Sequence, residues 1–231
     1  MGSGGMGVRQ ALLGVAALLF LIDLYLIFQY APTASEALGV QVQRIFYFHV
    51  PSALLGMISF AVAAVASVVY LTKRGRKWDR VAWASAEVGT VFFTVAIATG
   101  AIWAKPVWQK WWVWDVNGTL TFMLWLVFIG YLIVRSYAPT VERGSRWAAV
   151  VAIFGAASVP FVYMAADWWE GLHTERITGP AAQGSLEGEM FFTLMFSLLT
   201  FLVLFIALVA ERTAQLGIEE SIEELRREVA S

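Results

Sequence analysis

Five tryptophans crowd the thirteen residues Trp103-Ala-Lys-Pro-Val-Trp108-Gln-Lys-Trp111-Trp112-Val-Trp114-Asp115. Indole faces offer a large stacking area at low conformational-entropy cost, so such a cluster suits a flat apolar ligand. Tryptophan also sits well at a membrane–water interface, which accounts for one or two per helix end, such as Trp78 and Trp83. Five in one segment beside Pro106 and Asp115 favour a ligand platform over an interfacial belt. Trp108, Trp111 and Trp112 recur at spacings of three and four, and Trp114 follows Trp111 by three. That rhythm predicts a short amphipathic helix lying in the interface, with one aromatic face and Asp115 as a polar handle at its end.

The second chemistry-bearing set is the histidines. The chain has no cysteine and two histidines, His49 and His173. Without cysteine there are no disulfides, thiolate-ligated metals or thiol redox steps. His49 lies in Arg44-Ile-Phe-Tyr-Phe-His49-Val-Pro51, where Pro51 suits the first turn of a following helix and leaves His49 at that helix's end. His173 lies in Asp167-Trp-Trp-Glu-Gly-Leu-His173. A lone histidine is most often an interfacial polar residue. Here both share one face with the tryptophan segment. Neutral imidazole ligates haem iron, and an indole surface suits a porphyrin. The combination points to one haem b, held non-covalently between two axial histidines. Its propionates would need cations, and Arg44, Lys105, Lys110 and Arg176 are those at hand. Each of the four taken alone reads as a solvated loop charge.

The elements that must position these residues follow from hydropathy. Of 231 residues, 59% are hydrophobic and 14% charged, far from the composition of a soluble domain. The net charge of -1 gives no sign of nucleic-acid binding. Six apolar runs reach membrane-spanning length, at about Gln10–Tyr30, Pro51–Leu71, Val81–Trp103, Leu120–Tyr137, Trp147–Ala166 and Met190–Ala210. Lipid offers no partner for open backbone groups, so these runs must be helices. The first run is too long for a cleavable signal peptide and lacks a small-residue cleavage site. The Met1–Gly5 start reads as flexible. The expected fold is an all-α integral membrane domain over residues 1–210. Its tryptophan loop lies at about 103–119, and residues 211–231 form an amphipathic tail helix in which Ile218, Ile222, Leu225 and Val229 make the apolar stripe.

Orientation follows from Lys and Arg. With the N-terminus in the cytoplasm, twelve fall inside: Arg9, Lys73, Arg74, Arg76, Lys77, Arg80, Arg135, Arg143, Arg146, Arg212, Arg226 and Arg227. Four fall outside, namely Arg44, Lys105, Lys110 and Arg176, which together account for all 16. Both termini are therefore expected in the cytoplasm, with both histidines and the tryptophan loop outside. Two acids sit within spans, Asp23 and Glu87. An intramembrane acid is a functional candidate by default. Glu87, close to the basic inner loop, reads as a helix–helix partner, and Asp23 stays open between the two roles.

These motifs carry a family likeness. Trp111-Trp-Val-Trp-Asp115 resembles the core of the WWD domain of haem-handling proteins. Arg44-Ile-Phe-Tyr-Phe-His49-Val-Pro-Ser-Ala53 resembles the first histidine motif of the CcmC family of cytochrome c maturation, and Trp168-Trp-Glu-Gly-Leu-His173 resembles the second. Six spans and this length are also those of CcmC, while the CcmF and CcsA/ResC types have more spans and more histidines. The likeness extends to about Ala210. It departs at Gln109, where the family commonly has glycine, and after Asp115, where Val-Asn-Gly-Thr-Leu-Thr121 replaces an Arg-Leu-Thr. The resemblance implies a bacterial inner-membrane protein that binds haem outside the membrane without turnover chemistry. His49 and His173 would be axial ligands. Trp108, Trp111, Trp112 and Trp114 would form the platform, and Asp115 would orient it or contact the chaperone. It implies delivery to a CcmE-like haem chaperone, alongside CcmA, CcmB and CcmD-like subunits of an ATP-driven complex. Two other readings use the same residues. One is a membrane cytochrome carrying electrons, and the other is a haem permease with Asp23 and Glu87 lining its path.

Overall fold

The computed structural model describes residues 3–33, 40–169 and 186–230. Helix α1 spans Ser3–Tyr25 and runs on through a π-turn, Leu26–Tyr30. A 3-10 turn, Val40–Ile45, leads into α2, Phe46–Lys73. Then come α3, Arg76–Trp108, α4, Val116–Tyr137, α5, Val141–Ala157, α6, Val159–Trp168, and α7, Gly188–Ala230. There is no strand among the described residues. Six helices are long and apolar enough to cross a membrane, with α5 and α6 counting as one span. The chain is thus an all-α multi-pass membrane protein, as its hydropathy requires.

The α2–α3 hairpin is the spine. A Cβ on Gly89 of α3 would lie 1.6 Å from the Ser59 hydroxyl of α2, so only glycine permits this approach. Close backbone contact through small residues is how helices gain packing where lipid removes the hydrophobic drive. On one flank α4, α5 and α6 close a core around Phe60, Phe93, Leu124, Phe128 and Tyr131, with the Phe60 and Phe128 rings stacked at 3.5 Å. On the other flank α7 and α1 pack over Leu55, Phe92, Phe201 and Phe205.

Several boundaries differ from the sequence reading. Ser3 already lies in α1, so the start is helical from there. The fifth span is two helices. Pro160 has no N–H to continue the ladder, the chain turns at Ser158, and its hydroxyl donates to the Gly155 carbonyl at 2.6 Å. The second span begins earlier than Pro51, so His49 sits inside the first turn of α2 rather than before it. Residues 211–230 are no separate helix. They continue α7, and Ile218, Ile222, Leu225 and Val229 are exposed along it.

Alternating helix directions sort the molecule into two ends. One carries Arg9, the 73–80 turn, the 135–146 connection and the tail. The other carries the 40–49 segment, the 103–115 segment and the end of α6. Both chain termini run to the first, where Arg9 bonds Glu211 at 2.9 Å.

Candidate haem-binding site

His49 projects from α2 onto the flank of α3. Its Nδ1 lies 2.9 Å from the Ala96 carbonyl oxygen and 3.3 Å from the Thr99 hydroxyl. A carbonyl can only accept, so Nδ1 carries the proton and donates to Ala96. The lone pair then resides on Nε2, the nitrogen chemically suited to a metal. Gly100 leaves room for the ring, since a Cβ there would stand 3.0 Å from Cε1 and 3.3 Å from Nδ1.

About one turn further along α3 stands Trp103. Its indole N–H donates to Gln43 at 3.3 Å, and its ring meets Trp108 edge-to-face at 5.0 Å. The first two of the five tryptophans therefore belong to α3 itself. The expected amphipathic helix does not form, because residues 109–115 are non-helical. The reason is local. Gln109 caps α3 with φ 61, a left-handed conformation that ends a helix. Its side-chain amide donates back to the Pro106 carbonyl at 2.9 Å. Pro106, inside α3, has already removed one donor from the ladder. Glycine would meet the same demand without strain.

Trp112 and Trp114 are held by α4. Trp112 and Trp114 meet each other at 6.1 Å and pack edge-on against Phe122, at 6.2 and 5.7 Å. Phe122 in turn meets Trp125, whose N–H donates to Thr94 at 2.8 Å. Trp111 and Trp114 remain 60% and 68% exposed, large apolar faces with little covering them. The Lys105 ammonium lies 5.9 Å from the Trp111 ring. The Trp112 indole N–H is buried and finds no acceptor among the described residues. Asp115 is the N-cap of α4, its carboxylate accepting from the Gly118 N–H at 2.8 Å. The cap fixes where the tryptophan segment joins α4.

Arg44 is committed locally. It donates to Gln41 at 2.8 Å and to the Ile27 carbonyl, and its guanidinium lies 5.7 Å from the Phe28 ring. It ties the 40–45 turn to α1. Lys105 and Lys110 are exposed beside the tryptophans. Trp168 and Trp169 close α6 at the same end, 5.8 Å apart and partly exposed. His173 and Arg176 lie outside the described residues. The structure thus brings His49, Trp103, Trp108, Trp111, Trp112, Trp114 and Asp115 to one end of the bundle.

Sequence reasoning passed over what lies at the opposite end. Asp79, 1% exposed, takes two bonds of 2.7 Å from Arg135 and one of 2.8 Å from Ser145. Arg76 adds a bond at 3.0 Å, and Arg135 stacks 4.2 Å from the Trp83 ring. Glu87 pairs with Arg212 at 2.6 Å, in keeping with the helix-partner reading. Asp23 is fully buried and accepts from Ser197 at 2.7 Å, a clasp between α1 and α7.

The family model described as heme exporter protein C matches residues 6–228. Over 130 residues the chain is 34% identical to heme exporter protein C of Bradyrhizobium diazoefficiens, covering 56% of this chain and 49% of that protein. It is 30% identical to the Escherichia coli protein of that name over 153 residues, 64% of this chain and 62% of that one. With the Rhodobacter capsulatus protein it shares 32% identity over 147 residues, 63% and 60% respectively. The aligned stretches thus span about half to three fifths of these relatives' length. With six spanning helices, a histidine-bearing α2 and a tryptophan segment capped by Asp115, and a family match from residue 6 to residue 228, the chain belongs to the heme exporter protein C, or CcmC, family.

Proposed function

We propose that this protein binds haem b on the extracytoplasmic side of a bacterial cytoplasmic membrane and hands it to a haem chaperone during cytochrome c maturation. The observation that carries the reading is His49, locked through Nδ1 onto α3 at the end of the bundle that holds the tryptophan segment. The donor set fits the group. A histidine whose other nitrogen is fixed by a carbonyl is the usual form of a metal-ligating imidazole, and Gly100 keeps open the space it occupies.

His49 Nε2 and His173 are the proposed axial ligands. Trp108, Trp111, Trp112 and Trp114 grip the ring's apolar edge, and Asp115 orients them through its cap. Lys105 and Lys110 face the propionates, with Arg44 securing the turn that leads to His49. Bound there, haem needs no turnover chemistry from the protein, and exposed indoles leave one edge for handover. The concentration of Lys and Arg at the opposite end supports a cytoplasmic position for that end and both termini. A CcmE-like chaperone would then meet the tryptophan end, and CcmA, CcmB and CcmD-like subunits would assemble within and beneath the membrane. Of the acids a permease path would use, Glu87 pairs with Arg212, and Asp23 accepts from Ser197 through Oδ1 while its Oδ2 has no partner among the described residues.

Transfer is the test. Haem-loaded protein in detergent is mixed with the soluble domain of a CcmE-like chaperone, and haem is followed by absorbance after separation. Haem appearing on the chaperone supports delivery. Haem that stays in place while a quinol rapidly reduces it overturns delivery in favour of electron carriage.

A further inference from the structure

We propose that Gly100 and Thr99 of α3 are positioning residues that seat the His49 imidazole and fix its proton on Nδ1, an inference that rests on His49 being a haem ligand. The ring is held against α3. Its seat is the surface of α3 from Ala96 to Gly100, one residue beyond a full turn. Ala96 offers a carbonyl at 2.9 Å. The Thr99 hydroxyl donates to the Val95 carbonyl at 2.6 Å, so the face it turns toward Nδ1, at 3.3 Å, is a lone pair. Two acceptors therefore converge on one ring nitrogen, and both select the Nδ1–H tautomer.

Gly100 makes that approach possible. A Cβ at this position would stand 3.0 Å from Cε1 and 3.3 Å from Nδ1, so either the ring or α2 would have to move. The helix cannot yield. Gly89 lets Ser59 approach so closely that a Cβ site would lie 1.6 Å from its hydroxyl, and a Cβ on Gly56 would stand 2.8 Å from the Phe93 ring. These contacts pin α2 to α3 on the same interface. The ring is the softer partner, and giving way by a few tenths of an ångström lengthens and tilts its bond to Ala96. An imidazole whose bond is weakened so loses basicity and orientation together, and outer partners of this kind typically alter metal affinity by about tenfold or more.

The test uses the full chain in detergent, with Gly130→Ala as control, because a Cβ on Gly130 meets nothing within 4 Å. In haem-free protein labelled with 15N-histidine, the wild type and G130A are expected to show the Nδ1–H tautomer at His49, and G100A a mixture. This readout does not depend on haem. In haem-loaded protein, G100A is expected to bind haem about tenfold more weakly than G130A, with a raised midpoint potential. Thr99→Val should keep its haem and show a smaller rise. G100A matching G130A in tautomer, affinity and potential overturns the proposal. Should G100A fail to fold, T99V decides: an unchanged potential and tautomer overturn it. A haem spectrum unaltered by His49→Ala would instead remove the ligand reading, leaving the tautomer result to judge the seat alone.

Discussion

The two ends of this bundle are built by opposite rules. At the basic end Asp79, Glu87, Glu211, Glu219 and Glu220 each meet an arginine, and the pairs tie α1, α3, α4 and α7 together. The deepest of them, Asp79 with Arg135, has both carboxylate oxygens and Ser145 engaged. At the tryptophan end the described polar bonds include no ion pair, and among them are a helix cap at Asp115, a carbonyl held by Arg44, an imidazole on α3 and an indole N–H on Gln43. Large indole faces stay exposed there. One end therefore holds the helices in register, while the other keeps large aromatic faces exposed among the described residues. Stability concentrated away from a binding surface is the usual arrangement where that surface must open to a ligand.

Substitutions can break or sharpen this contrast. The largest effect is expected from Asp79→Ala, which strands a buried guanidinium. Such losses cost about 3–5 kcal/mol, read as a fall in the thermal or denaturant midpoint of the purified protein. At the other end, the double change Trp111→Ala and Trp114→Ala should leave unfolding within about 0.5 kcal/mol, because both rings are exposed. The same change should weaken haem binding by about 2 kcal/mol in a haem titration, if the rings anchor the ligand. Equal effects of these two variants on stability would dissolve the distinction between the ends. Next in size, Gln109→Gly should raise stability by about 1 kcal/mol, because the position is left-handed with φ 61. Haem affinity should not change with it. The smallest effect is expected from Glu220→Gln, whose pairs with Arg76 and Arg80 are partly exposed. A loss below about 1 kcal/mol in the same unfolding measurement separates it from the buried Asp79 pair.

The helices were legible because lipid leaves the backbone one option, and a window of apolar residues finds it. The tryptophans and His49 were legible as residue types gathered at one end. Their support was not. Asp79 and Arg135 stand 56 residues apart, and each reads locally as a charge at a helix end. His49 finds its acceptor 47 residues away on α3. Only packing joins such partners. The spacing of Trp108, Trp111 and Trp112 suggested a helix because periodicity carries no sign of φ. Pro106, which removes a ladder donor, was the signal of a nearby helix end, and it outweighs the rhythm. In the tail the apolar stripe of Ile218, Ile222, Leu225 and Val229 lies exposed, and the tail meets the rest of the bundle through Glu220, which reaches Arg76 and Arg80.

The most direct test is the visible absorption spectrum of the purified protein after expression with ample haem, compared with His49→Ala and with His49→Ala, His173→Ala together. The wild type is predicted to show a six-coordinate, bis-histidine haem spectrum, altered in the single variant and abolished in the double. A wild type without bound haem, or a double variant with the wild-type spectrum, would contradict a haem site built on these histidines.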